Sequence, residues 1–84
     1  MNKARRKKIK NIIKMIENRN ENAYSELEDV LYDEQDAFDN MPENLQSRMR
    51  GEESSEAIDL MEDAISSLDD EKYDDAIESL SYIY

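Results

Sequence analysis

Twenty-two of the 84 residues are aspartate or glutamate, and the chain has no histidine and no cysteine. Carboxylates are therefore the only plentiful side chains able to do chemistry. A carboxylate pair can act as acid and base, but it needs a concave site that holds the two groups at a fixed separation, and two helices seldom provide one. A di-iron centre in a helical bundle needs Glu-x-x-His pairs, which are absent. A calcium loop needs alternating acids around a central glycine. The run Asp69-Asp70-Glu71-Lys72-Tyr73-Asp74 has neither the alternation nor the glycine. Without cysteine there is no disulfide or zinc–thiolate site. No enzyme, metal or cofactor is expected, and the chemistry left to the acids is electrostatic.

Their spacing gives that electrostatics a form. Glu52, Glu56, Asp59, Asp63, Asp70, Asp74 and Glu78 recur three or four apart, with one gap at Ser66-Ser67. Glu17, Glu21, Glu28 and Asp36 do something similar in the first half. Like charges at i, i+4 repel by a few tenths of a kcal/mol per pair. One reading is a solvated face kept soluble by charge. The other is a rod whose carboxylate rows imitate nucleic-acid phosphates and are drawn to the basic groove of a nucleic-acid enzyme. A solvated face usually mixes lysine among its acids, yet residues 15–84 hold 22 acids and four bases. The candidate partner-binding face comprises Glu21, Glu28, Asp36, Glu52, Glu56, Asp59, Asp63, Asp70, Asp74 and Glu78. Tyr32 joins them, because it falls off the apolar stripe and suits an interface anchor.

Residues 1–14 are the opposite: seven bases (Lys3, Arg5, Arg6, Lys7, Lys8, Lys10 and Lys14) and no acid. They could contact phosphates of nucleic acid or anionic lipid, or neutralise acidic surface within the fold or across a dimer. No aromatic is interleaved with them and the remaining residues repel a polyanion, so direct nucleic-acid binding is not expected.

These charges must be positioned by helices. Ile9, Ile12, Ile13, Ile16, Ala23, Tyr24, Leu27, Val30, Leu31 and Phe38 recur at threes and fours, the period of one helix face. They predict a helix over about 4–39, with a polar layer or slight bend, and no full break, at Asn18-Arg19-Asn20-Glu21-Asn22. The only proline (Pro42) and the only glycine (Gly51) bracket a reversal over 40–52. Proline suits a first helical position and glycine a helix end. Between them a short helix from Pro42 to about Met49, with Leu45 and Met49 inward, competes with a loop. A returning helix is expected over 53–82, on Ala57, Ile58, Met61, Ala64, Ile65 and Leu68, then Tyr73, Ala76, Ile77, Leu80, Ile83 and Tyr84. At Asp69–Lys72 the absence of glycine and proline favours continuity; the alternative is a stop at Leu68 with Asp69 or Asp70 capping a new helix.

The fold class is thus all-α: a single domain shaped as an antiparallel, coiled-coil-like helical hairpin. Folding at the reversal sets residue i opposite about 92 − i. This brings Asn20 opposite Lys72, and Lys10 and Lys14 near Asp74, Asp75 and Glu78. A hairpin would leave Ile12, Tyr24, Leu31, Leu60 and Tyr73 for a second surface, so a homodimer forming a four-helix arrangement is expected. No apolar run approaches the roughly 20 residues of a membrane span, and the basic start lacks a signal peptide's apolar stretch. A cytoplasmic location in a bacterial host follows as the expectation.

Three resemblances can be drawn, and the last of them bears on function. Asp70-Glu71-Lys72-Tyr73-Asp74-Asp75-Ala76-Ile77-Glu78 resembles the second helix of a tetratricopeptide repeat, without the glycine, proline or 34-residue period of that family. The wider order is a basic start, Glu34-Gln35-x-Ala37-Phe38-Asp39-Asn40-x-Pro42-Glu43-Asn44-Leu45-Gln46, then Ala57-Ile58-Asp59 and Ala64-Ile65-Ser66-Ser67-Leu68. It resembles short acidic helical proteins carried by phages and mobile elements of Gram-positive bacteria. In size, acidity and helicity the chain is also similar to anti-CRISPR and other DNA-mimic inhibitors. That last likeness, one of character and not of motif, implies a non-enzymatic module that binds a basic nucleic-acid-handling protein; the phage-carried group implies no particular activity. The competing expectations are a structural assembly protein with a merely solvated acidic face, and a nucleic-acid binder acting through the basic segment.

Overall fold

The computed structural model describes residues 1–83, without the side chain of Arg50; Tyr84, assigned above to the apolar stripe, lies outside them. The described residues form five helices and no strand: α1 (Lys3–Glu17), α2 (Ala23–Asp39), α3 (Glu43–Gln46), α4 (Met49–Asp69) and α5 (Tyr73–Ser81). α1 packs on α2, α2 on α4, α4 on α5 and α5 on α1, so the four long helices close a ring around one core. Each runs antiparallel to both neighbours. Contacts that fix the directions are Arg5 with Glu34, Glu34 with Ser54, and Arg19 with Tyr73. The body measures 40 × 20 × 18 Å.

The core is the apolar stripe that the spacing marks out. Ile9, Ile16, Leu27, Val30, Met61, Ala76 and Leu80 are all buried, and Phe38, Ile65, Leu68 and Ile77 pack against them. The architecture nevertheless differs from one hairpin awaiting a second copy. Ile12 and Leu31, assigned to a dimer surface, are buried within the chain, and Tyr24, Leu60 and Tyr73 are half-buried. One chain supplies all four long helices, so part of the apolar surface that called for a second copy, Ile12 and Leu31, is covered within the chain.

The difference arises because both expected long helices break. α1 ends in a Schellman turn: the N–H of Asn20 donates to Met15 O (2.8 Å) and that of Arg19 to Ile16 O (3.0 Å). α4 ends in the same motif, Lys72 N–H to Ser67 O (2.8 Å) and Glu71 N–H to Leu68 O (3.1 Å). In each turn one residue adopts positive φ, Arg19 at 54° and Glu71 at 58°. Neither is glycine, which is why the sequence offers no stop signal at either place. Asp70 is the C-cap of α4, and Lys72, not an aspartate, precedes α5. The Asn20 Oδ1 accepts from Asn22 N–H (2.9 Å), fixing the turn that leads into α2. The register survives the correction: the Arg19 guanidinium lies 4.1 Å over the Tyr73 ring, so the two lapses meet at one end.

The reversal also departs from expectation. Pro42 precedes a single helical turn, α3, and Gln46 returns its side-chain amide to Phe38 O (3.0 Å) and Met41 O (3.2 Å) at the end of α2. Leu45 and Met49 do not face inward; Met49 is 76% exposed. Gly51 closes no helix. It is buried in the first turn of α4, where an added Cβ would overlap the Gln46 carbonyl oxygen. Only hydrogen fits in that gap, and this close approach is what lets α4 start directly against α3.

Candidate binding surfaces

On α4 the core residues Ser54, Ala57, Ile58, Met61 and Ala64 define the inner face. Glu52, Glu56, Asp59 and Asp63 fall on the opposite side, all exposed, as the outermost stripe. On α2 the equivalent outward row is Glu28, Tyr32 and Asp36, with Glu28 half-buried and Tyr32 58% exposed. Glu21 lies in the α1–α2 turn, Asp70 ends α4, and Asp74 and Glu78 point outward from α5. The fold does not gather these acids into one patch. It distributes them over the outer faces of three helices. Tyr82, absent from the expected site, adds an exposed ring to the α5 row, donating its hydroxyl to Glu78 Oε1 (3.1 Å). That bond and the Glu78 charge raise the Tyr82 pKa.

The bases sit on the fourth side. Lys3, Lys7, Lys10 and Lys14 form the outermost stripe of α1, with Arg6 and Lys8 exposed beside them. An open concavity of about 660 Å³ is lined by Lys3, Ala4, Arg6, Lys7 and Lys10. Among the described residues, no ion pair joins Lys14 to Asp74, Asp75 or Glu78. Arg5 is the exception within the basic segment: it turns inward.

There it meets a group that the sequence reading missed. Glu34 is 1% exposed and Ser54 fully buried. The Glu34 Oε1 accepts from Arg5 Nε (2.8 Å); Oε2 accepts from Ser54 Oγ (2.5 Å) and pairs with the Met1 ammonium (3.0 Å). Burial would push this carboxyl up, but the bonds from Ser54, the Met1 ammonium and Arg5 outweigh it and hold the pKa below the ordinary glutamate value. The signal was present: Arg5 falls four before Ile9, Glu34 four after Val30, and Ser54 four before Ile58. Three polar residues occupy apolar-stripe positions on three helices, and they meet in one layer. A concavity of about 360 Å³ borders this layer, but both Glu34 oxygens are already committed. Every buried side-chain nitrogen and oxygen among the described residues has a partner.

Among the described residues no cluster of three or more acidic, histidine or cysteine side chains is arranged to hold a metal ion, and no helix is long and apolar enough to cross a membrane. What the arrangement offers is charge placed by the fold: one basic ridge and three acidic faces on a bundle 40 Å long. Compared with protein-family models, with curated proteins and with solved structures, the chain matches none.

Proposed function

We propose that the protein is a non-enzymatic binding module whose acidic faces occupy a basic, nucleic-acid-binding surface of another protein, in the manner of a DNA-mimic inhibitor carried by a phage or mobile element. The observation that supports this reading is charge density. Duplex DNA carries one negative charge per about 1.7 Å, or about 24 over 40 Å. Residues 15–84 carry 22 acids and four bases on a body 40 Å long and 20 × 18 Å across. Their net −18, which includes the buried Glu34, is about three-quarters of the duplex value; with the seven bases of residues 1–14 on the fourth side the whole body carries −11, a little under half of it. Long-range attraction of this kind sets the encounter rate and weakens as salt rises.

Capture from a lysate of a Gram-positive host, followed by binding kinetics with the recovered basic protein, tests the reading. Reversing Glu56, Asp59 and Asp63 together to lysine should slow association and flatten its salt dependence. Helicity should persist, because the three positions face solvent and lysine is as good a helix former as glutamate. A merely solvated acidic face predicts changed solubility alone. A triple variant that keeps full partner affinity across a salt series would remove the mimic reading.

A further inference from the structure

The outermost stripe of α1 reads Lys3, Lys7, Lys10, Lys14, and that of α4 reads Glu52, Glu56, Asp59, Asp63. Both step by four, three and four residues, and both span about 16 Å at 1.5 Å per residue. Helix geometry sets the steps; the sequence sets a cation at every step of one row and a carboxylate at every step of the other. Because α1 packs on α2 and α5, and α4 packs on the same two helices, the rows lie on opposite sides of the bundle. They cannot meet within one chain. Lys3, Lys7 and Lys14 make no ion pair among the described residues.

We propose that the α1 ridge docks on the α4 acidic row of a second copy of this chain. The order of steps is the same in both directions, so an antiparallel seating sets Lys3 against Asp63, Lys7 against Asp59, Lys10 against Glu56 and Lys14 against Glu52. Antiparallel seating also places each helix N-terminus beside its partner's C-terminus, which suits the helix dipoles. The overall charge of −11 does not forbid this contact. Acids on the far side lie some 20 Å away across the bundle, beyond the roughly 8 Å screening length at physiological ionic strength. A long polyanion fits the ridge less well than the α4 row does. It would overrun four cations and meet Glu17 and Glu21, whereas the α4 row ends where the lysines end. Since the two rows are on opposite sides, the contact is head-to-tail and leaves a free row at each end, so the assembly grows as an open chain and does not stop at a dimer.

This proposal does not depend on the partner protein proposed above, and its test uses this chain alone. Sedimentation or light scattering of the full chain at submillimolar concentration is compared at about 0.01 M and 1 M ionic strength, where screening lengths are about 30 Å and 3 Å. The mass should rise past that of two copies at low ionic strength and return to 9.9 kDa at high. Two variants locate the contact: Lys3→Gln with Lys7→Gln and Lys14→Gln, and Glu52→Gln with Glu56→Gln, Asp59→Asn and Asp63→Asn. Circular dichroism first establishes that both keep their helices. Each alone should stay monomeric, and a mixture should form a one-to-one pair that grows no further. The acidic variant discriminates sharply, since it moves the net charge from −11 to −7 and general repulsion predicts that it associates more. Association of that variant equal to or above wild type would overturn the proposal. So would a monomer at both ionic strengths, including one that shifts only when duplex DNA is added, which would assign the ridge to phosphate.

Discussion

Glu34→Gln is the most informative single change to this fold. It keeps the shape and the bond to Ser54 but removes the charge that faces Arg5 (2.8 Å) and the Met1 ammonium (3.0 Å). Hydrogen bonds to charged groups contribute about 1.5–3 kcal/mol each, offset in part by the desolvation of the carboxylate, so a net loss of about 2 kcal/mol is expected. For a domain of this size that lowers Tm by about 10 °C or more. Glu34→Leu should cost about 3–5 kcal/mol, because it strands a buried hydroxyl and leaves two cations uncompensated. Adding Arg5→Met and Ser54→Ala to Glu34→Leu should recover only part of that loss, since it removes the stranded hydroxyl and one cation but leaves the buried Met1 ammonium without its counter-charge. The pH dependence carries its own sign. The folded-state pKa of Glu34 is lowered, so its contribution is complete above the ordinary carboxylate range and is lost as pH falls through the folded value. Urea titrations of wild type and Glu34→Gln across pH isolate this, because relief of repulsion among the exposed acids cancels in the difference. The gap should be flat near neutrality and close in acid. A gap under about 0.5 kcal/mol, the size of an ordinary surface change, or one that does not vary with pH would refute the role given to the cluster.

Three further outcomes follow from the backbone. Gly51→Ala should destabilise by about 1–3 kcal/mol through overpacking against the Gln46 carbonyl, although glycine-to-alanine inside a helix ordinarily gains up to about 1 kcal/mol; chemical denaturation reads the sign. Glu71→Gly should stabilise by about 1 kcal/mol by relieving the left-handed backbone. Arg19→Gly should gain less in the same assay, since it also forfeits the guanidinium bond to Ile16 O (2.8 Å) and the contact over Tyr73.

The helical class and most of the core were legible because Ile9 through Ile16, Ala23 through Phe38, Ala57 through Leu68 and Tyr73 through Leu80 each keep the helix period. The stripe resumes after each polar lapse with no glycine or proline between, and that concealed the turns. A Schellman turn with arginine or glutamate at its left-handed position leaves no glycine to find, and Ile16 and Ala23 stay on the stripe across the break. Once each long helix is cut, part of the surface assigned to a second copy closes on itself. The outward acids were placed correctly as outward, since exposure follows directly from the stripe. Their distribution over three helices was not legible, because it depends on the cuts. Arg5 was counted with the surface bases for want of a reason to turn one cation inward; the reason was the coincidence of Glu34 and Ser54 on the other apolar stripes.

The placement of the two turns at one end and of the Glu34 layer at the other has a kinetic consequence. Each hairpin can zip from its own turn through contacts between near neighbours in sequence, the regime of low contact order in which small helical domains fold in microseconds to milliseconds. The Glu34 layer joins residues 5, 34 and 54 across three helices and is the part farthest from both points of nucleation. Interactions that form after the barrier is crossed govern the escape rate from the native state. Loss of the Glu34 charge should therefore raise the unfolding arm of a chevron at unchanged slope and leave the refolding arm nearly unmoved. The layer acts as a latch on the lifetime of the folded rod, not as a seed for its formation.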